Sequence, residues 1–293
     1  GIGYISPSGG QDRSLDLNTE TRLNDRNYLT LGGQYMNRPE TYRSYRPAQS
    51  NANTRFVMNL GYRMTGPTAF TDVLKINLYH QYKKDTRRWF TDNTLEKIKA
   101  EGYAWWKTYS TDVQAVKAIG LKHRLLYGAG YVLDVAESPD DEQFSILVPG
   151  GVQRASPGTR WHNAGLYAHN EWEAATLVTL SAGLRYDYFY FMAGDELFYT
   201  KPGDADTAMN RAIRDPETYA EKAITGSAGA VWHFGETCNV ATTWAHGFRM
   251  YPPSFGFRQT GQGVLVPNGF LPPVAADMFE ISPRINTRTA DFV

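Results

Sequence analysis

The sequence predicts an all-β fold, a transmembrane antiparallel β-barrel, on three observations. Apolar and polar residues alternate with a period of two through nearly the whole chain, while helical periodicity is scarce. The links between alternating runs are short and long in strict turn. Aromatic residues on the apolar face gather beside both kinds of link, as two membrane interfaces require.

The runs justify themselves in order. Leu15, Leu17, Thr19, Thr21 and Leu23 alternate with Asp16, Asn18, Glu20 and Arg22. After Asn24–Asn27, Leu29, Leu31, Gly33 and Tyr35 mark the second strand. Phe56, Met58, Leu60 and Tyr62 oppose Arg55, Asn59, Gly61 and Arg63 in the third. Leu74, Ile76, Leu78, His80 and Tyr82 form the fourth, and Tyr109, Thr111, Val113 and Ala115 the fifth. Leu125, Tyr127, Ala129, Tyr131 and Leu133 then oppose Arg124, Gly128, Gly130 and Asp134. Leu166, Ala168 and Trp172 lead to the long run Val178, Leu180, Ala182, Leu184, Tyr186, Tyr188 and Tyr190. Ile224, Ala228, Ala230, Trp232 and Phe234 follow, and then Trp244, His246 and Phe248 against Ala245, Gly247 and Arg249. That strand is expected to end at Pro252 and Pro253, which supply no ladder donors. Phe279 and Ile281 mark a shorter strand, and "TADFV" begins another.

Short links are expected near Asn24–Asn27, Thr65–Asp72, Lys117–Leu121, Glu173–Thr176, Gly235–Thr237 and Ser282–Asn286. Long ones are expected near Asn37–Asn53, Lys84–Ala104, Ala136–Arg160, Ala193–Glu221 and Tyr251–Ala276. A transmembrane barrel places its short turns on the periplasmic side and its long loops outside. A large soluble sandwich or propeller with one dry face is the alternative. Two loop segments read as short helices. "DNTLEKIKAEG" has Asn93 as N-cap, Glu96 at the capping-box position and Gly102 as terminator. "RDPETYAEKA" has Asp215 as N-cap and Pro216 as first helical residue.

Composition sets further bounds. Lys plus Arg equals Asp plus Glu, 30 each, so no broad electrostatic case for nucleic acid exists. Aromatic content is 14%, carried mainly by 19 Tyr and 14 Phe, although mean hydropathy is polar at −0.47. No apolar run reaches the length of a transmembrane helix, which leaves a barrel open, because alternating strands average out as polar. The single cysteine, Cys238, permits no internal disulfide and no Cys-based metal cluster.

Catalytic motifs are missing: there is no G-x-S-x-G, H-E-x-x-H or P-loop, and no cofactor is expected. Gly128–Gly130 lies within a strand, where glycines relieve crowding. His169 and Glu171 share a side of one strand, but with no third partner they read as polar lumen lining. Lys83, Lys84, Arg87 and Arg88, beside Trp89 and Phe90, form a basic run at a loop edge. Such a run is either a solvated face or a contact for an anionic ligand or lipopolysaccharide. Of Trp105 and Trp106, one is expected to face lipid and the other a ligand vestibule.

Three passages resemble the TonB-dependent outer-membrane receptors. "AGLYAHNEWEAATLVTLSAGLRYDYF" resembles the family's mid-barrel strand pair with "LxxGLRYDxY". "VATTWAHGFRMYPPSFGF" is similar to its "hxxxYSxGFRAPxxxEL" strand and loop, and "LVPNGFLPPVAADMFEISPR" to "NPxLKPExSxxxExGxR". Met250-Tyr251-Pro252 replaces the usual Ala-Pro, and Ser282 a common Gly.

The resemblance implies a 22-stranded barrel around a plug, of which about a dozen strands are readable in residues 1–293. No stretch resembles the plug, so the chain is expected to be an internal portion of one barrel domain. The implied function is active uptake of a scarce ligand: a ferric siderophore or similar chelate, cobalamin or an oligosaccharide. Implied partners are the TonB complex, acting through a plug outside this stretch, and outer-membrane lipid and lipopolysaccharide. Haem is disfavoured, since Ser254–Val266 contains no His. A passive porin-like channel and an outer-membrane hydrolase are the competing readings. Candidate ligand contacts at the loops and rim are Arg87, Arg88, Trp89, Trp106, Tyr199, Arg249 and Arg258.

Overall fold

A computed structural model describes residues 9–43, 46–91, 96–137, 143–144, 152–153, 158–193, 199–200, 217–235, 237–250, 274–286 and 291–292. Eleven long strands make up almost all of it: β2 (Arg13–Arg22), β3 (Asn27–Arg43), β4 (Arg46–Thr65), β5 (Val73–Phe90), β6 (Ile98–Ile119), β7 (His123–Glu137), β10 (Thr159–Ala175), β11 (Val178–Ala193), β13 (Glu217–His233), β14 (Cys238–Arg249) and β15 (Val274–Asn286). Five two-residue strands complete the order: β1 (Gly9–Gly10), β8 (Gln143–Phe144), β9 (Val152–Gln153), β12 (Tyr199–Thr200) and β16 (Asp291–Phe292). The long strands form one antiparallel sheet in which each pairs with its neighbour in sequence; β8, β9 and β12 form a separate small sheet.

One hydrogen-bonded row shows how the sheet is sheared. Tyr28, Arg63, Lys75, Gln114, Gly128, Tyr167, Arg185 and Thr225 are successive partners across eight strands. Tyr28 stands one residue from the short-turn end of β3, whereas Thr225 stands eight residues from the corresponding end of β13 at His233. The row therefore climbs by seven residues in seven strand steps. At ~3.3 Å per residue and ~4.8 Å per strand, the strands tilt by about 35°. That is the tilt of a barrel wall.

Face assignment follows the alternation. Leu31, Leu60, Leu78, Thr111 and Tyr131 lie in register on one face, as do Tyr62, Ile76, Val113, Ala129, Leu166, Tyr186 and Ile224. This face is apolar yet open: Leu166, Leu184 and Ile224 are each 62% exposed. A single-layer sheet can leave such residues uncovered only where lipid takes the place of a protein core. On β5 the apolar outer stretch runs from Leu74 to Tyr82, a height of about 22 Å at that tilt, close to the ~25 Å band of membrane barrels.

The short turns link into one edge. Thr65 N–H donates to Arg26 O, Asp72 N–H to Val116 O, Glu173 N–H to Lys122 O, and His233 N–H to Leu177 O, at 2.8, 2.8, 2.9 and 2.9 Å. Gly120 and Gly235 turn the chain there with φ of +63° and +81°, which side-chain-bearing residues avoid. Leu23, Phe70, Leu121, Leu177 and Phe234 are all exposed on these turns, so each carries one large apolar residue.

The link read near Ser282–Asn286 is strand, since β15 runs to Asn286 and pairs Ile285 with Cys238, and three further expectations are corrected. Ile98–Gly102 belongs to β6 and pairs with Arg87–Phe90, so the expected helix from Asn93 to Gly102 is strand where it is described. Likewise β13 begins at Glu217, in place of the helix expected after Pro216. In both places hydrogen bonds to a neighbouring strand override a local capping signal. The links read as Asn37–Asn53 and Lys84–Ala104 are mostly strand, since β3 and β4 pair up to Arg43–Arg46 and β5 and β6 up to Phe90–Ile98. These hairpins continue past the apolar band, where both faces are polar and alternation no longer marks them. Third, Phe248 does not join Trp244 on the lipid face. The β13–β14 ladder stops at Gly226–His246, and beyond it the Phe248 ring packs edge-on against inner-face Phe189 at 5.4 Å. The expected stop at Pro252–Pro253 lies outside the described residues.

Candidate functional site

On the inner face, β3, β4 and β5 enclose a hollow of about 540 Å³ at the end opposite the short turns. Its lining includes Arg38, Arg55, Lys83 and Arg87, with Asp85 as the one carboxylate. Register brings these charges together from three strands: Arg38 pairs with Asn53 and Asn53 with Asp85, while Arg55 pairs with Lys83 and Asn51 with Arg87. Lys83 bonds Asp85 at 3.0 Å, which also accepts from Asn53. The Arg55 Nε–H donates to Gln81 Oε1 at 2.9 Å. Arg38 donates from Nη2 to Asp12 Oδ2 at 2.6 Å, and that hydrogen bond holds the Asp12 carboxyl below the usual carboxylate range. Among the described residues Arg87 is exposed and has no carboxylate partner. The Thr41 hydroxyl and the Asn53 amide oxygen, both on the lining, are buried without a hydrogen-bond partner among the described residues. An excess of positive charge beside an idle Thr41 hydroxyl, which can donate, suits an anionic, oxygen-rich ligand.

The candidate residues separate on this geometry. Arg87 lines the hollow. Trp106 stands on its β6 flank, paired with Lys83, whose ammonium lies 4.8 Å from the indole centroid. Trp105 takes the outer face. Arg88 also points outward, donating to Glu101 at 2.6 Å and lying 3.6 Å from Glu40. Burial raises Glu40, but bonds from Tyr42 and Ser50 and the Arg88 charge outweigh it and leave the carboxyl below its usual range. Tyr42 is pushed up to about 12 by its bond to Glu40 and by burial. Arg88 thus anchors a rim cluster outside the wall and takes no part in the hollow. Trp89 is in β5, opposite Gln49, and Tyr199 is in β12, opposite Gln153. Arg249 is exposed at the last β14–β15 pair, with Val274. Alternation puts it on the face away from Phe248, and so away from the inner wall. Arg258 lies outside the described residues.

Sequence reading missed two inner-face groups. Arg38 and Arg55 passed as ordinary polar-face residues and Lys83 only as part of the basic run at a loop edge, because only cross-strand register shows that the three converge. Trp161, Phe189 and Phe191 form an inner aromatic cluster, with Trp161 6.0 and 6.3 Å from the two Phe rings. "YDYFYF" is aromatic on both faces, which hides the alternation. Lower on the same wall, Arg185 holds Asp187 through two 2.6 Å bonds and lies 5.7 Å over the Tyr167 ring. His169 and Glu171 recruit no third ligand: no group of three His, Cys, Asp or Glu suited to a metal occurs among the described residues.

A tilted antiparallel wall, apolar and open outside, polar and hollowed inside, is the wall of a membrane β-barrel. The chain belongs to the TonB dependent receptor-like, beta-barrel family, whose profile matches residues 2–292. No curated protein sequence matches it. Among solved structures it is similar to the copper transporter OprC, with TM-score 0.72 and 13% identity over 96% of this chain and 43% of that one. It is also similar to the FrpB iron transporter from Neisseria meningitidis (F3-3 variant), with TM-score 0.69, 15% identity, and coverage of 94% and 44%. The siderophore receptor PirA from Pseudomonas aeruginosa gives TM-score 0.63 and 14% identity, with coverage of 95% and 44%. The chain thus spans less than half the length of these relatives.

Proposed function

We propose that the chain is part of the barrel of an outer-membrane receptor that takes up a scarce anionic chelate, such as a ferric siderophore, with energy from TonB. The observation that carries this reading is the cation-lined hollow at the far end of the inner wall. Four cations line it; Asp12 engages Arg38 and Asp85 engages Lys83, which leaves Arg55 and Arg87 without a carboxylate among the described residues, beside the unpartnered Thr41 hydroxyl. A neutral oligosaccharide would leave that charge uncompensated, so the lining favours an acidic ligand over oligosaccharide or cobalamin. The relatives named as transporters of copper and iron and as a siderophore receptor lend support. TonB would act through a plug contributed by chain outside residues 1–293, and nothing covalent is required of the barrel.

The test uses the full-length receptor with ferric citrate and a ferric catecholate as probes in calorimetric titrations. Arg55→Gln with Arg87→Gln removes two charge-assisted contacts worth about 1.5–3 kcal/mol each. Binding should weaken by about two to four orders of magnitude, with a shallower salt dependence. An unchanged dissociation constant, or tighter binding of a neutral maltooligosaccharide, would sink the anionic reading. Uptake that persists in cells lacking TonB would favour the passive channel.

A further inference from the structure

One extra residue in β3 decides which side chain faces the hollow. Arg38 pairs with Asn53, but the next inward pair is Thr41 with Asn51, so three steps along β3 match two along β4. The other flank agrees: Arg13 pairs with Asn37 and Gly10 with Thr41, so four steps along β3 match three. Pro39 and Glu40 therefore form a β-bulge. A bulge is the setting in which a strand paired on both sides accepts a proline, since Pro39 has no N–H to give a ladder. In a regular ladder Glu40 would follow Arg38 onto the inner face, opposite Asn51, with Arg87 next in the same row. The bulge turns that carboxylate outside and puts the Thr41 hydroxyl into the lining in its place.

The exchange is fastened from outside. Tyr42, Ser50, Arg88 and Glu101 are successive partners in one outward row across β3 to β6. Glu40 joins that row: the Ser50 hydroxyl donates to its Oε1 at 2.9 Å, the Tyr42 hydroxyl also donates to it, and Arg88 Nη1 stands 3.6 Å away. Glu101 accepts from Arg88 Nε at 2.6 Å and so fixes the guanidinium beside Glu40. Ser50 is buried, which leaves its hydroxyl committed to the carboxylate. On the other side of the sheet, Arg55 and Arg87 have no carboxylate among the described residues. An inward Glu40 would neutralise one of them. Arg88 does not line the hollow, yet it holds out the one nearby acid that could fill it.

We propose that Glu40 is a positioning residue for the ligand site: held outside by Arg88, Ser50 and Tyr42, it keeps the bulge in place, Thr41 in the hollow and a carboxylate out of it, so that Arg55 and Arg87 stay open to an anion. This rests on the anionic-ligand reading. The experiment titrates the full-length receptor with ferric citrate by calorimetry. Arg88→Gln removes the charge that holds Glu40. The bulge then migrates toward the hairpin end, and the freed carboxylate occupies one of the two open arginines. Binding should weaken about tenfold to a hundredfold, the loss of one charge-assisted contact. Adding Glu40→Gln to Arg88→Gln leaves no carboxylate to enter and should restore affinity to within about twofold of the parent. Arg88→Lys, which keeps the charge, should weaken binding less than Arg88→Gln does. A purely structural role predicts the reverse, a double variant as weak as Arg88→Gln or weaker, and that result would overturn the assignment. The lock is also read without ligand. Cryo-electron microscopy of Arg88→Gln should place Glu40 opposite Asn51 on the inner face and Thr41 opposite Ser50; Glu40 still outside would overturn the assignment as well. Failure of the anionic reading looks different: Arg55→Gln with Arg87→Gln would leave ferric citrate binding unchanged, while Glu40 still moves inward in Arg88→Gln.

Discussion

Alanine at Gly128 should destabilise the wall, whereas alanine two residues away at Gly130 should not. Both glycines are on β7 and face the lumen. A Cβ at Gly128 would sit 2.3 Å from the Val113 carbonyl oxygen and 2.5 Å from the Tyr167 hydroxyl oxygen. The first of these is backbone held in the β6–β7 ladder, so it cannot swing aside. At Gly130 the nearest atoms are Asp112 Oδ2 at 3.6 Å and Thr111 O at 3.8 Å, ordinary contact distances. Overpacking costs about 1–3 kcal/mol, and replacing a strand glycine by alanine returns about 0.5–1 kcal/mol. Gly128→Ala should therefore lose on the order of 0.5–2 kcal/mol, while Gly130→Ala gains a fraction of one. The two variants should differ by the overpacking cost alone, about 1–3 kcal/mol. The assay is urea unfolding of the full-length receptor in detergent, followed by tryptophan fluorescence, with midpoints compared at a common slope. Equal midpoints would refute the reasoning that the Val113 carbonyl and Tyr167 leave no room for a side chain at position 128.

Two further outcomes follow from local geometry. At the short-turn edge, Asp72 accepts from the Ala118 N–H at 2.7 Å and from Lys117 at 2.9 Å, the first being the larger cause of its lowered pKa. Its folded pKa lies below its unfolded one, so the stabilisation is present above the ordinary value of 3.8 and is lost as pH falls through the folded value. Asp72→Asn should speed Ala118 amide exchange at neutral pH and leave it unchanged at strongly acidic pH; acceleration of equal size at both would contradict the linkage. Phe189, 7% exposed, meets Trp161 and Phe248 edge-on, so Phe189→Ala should cost about 3 kcal/mol. It should also raise hydrogen exchange at Gly247–Arg249, where β14 has left β13. Exchange that rises evenly along β14 would argue against Phe189 as the pin.

Membrane exposure explains why so much of the wall was legible. Each outward position must be apolar and each inward one polar, so Phe56 to Tyr62 or Leu74 to Tyr82 carries its face in its spelling. Above the band that requirement lapses. Arg87 and Arg88 are adjacent in sequence and chemically alike, yet one lines the hollow and the other locks Glu101 and Glu40 on the outside. Alternation from Tyr82 could have separated them, had β5 been carried past Lys84. The hollow asks for more than parity: Arg38, Arg55 and Lys83 meet only because β3, β4 and β5 pair in one register out of several that the same alternation allows. A shift of two residues would preserve every lipid-facing side chain while dispersing those charges. The apolar band therefore specifies the wall, whereas the polar hairpin extensions above it, through pairs such as Asn53–Asp85, select the register that builds the hollow.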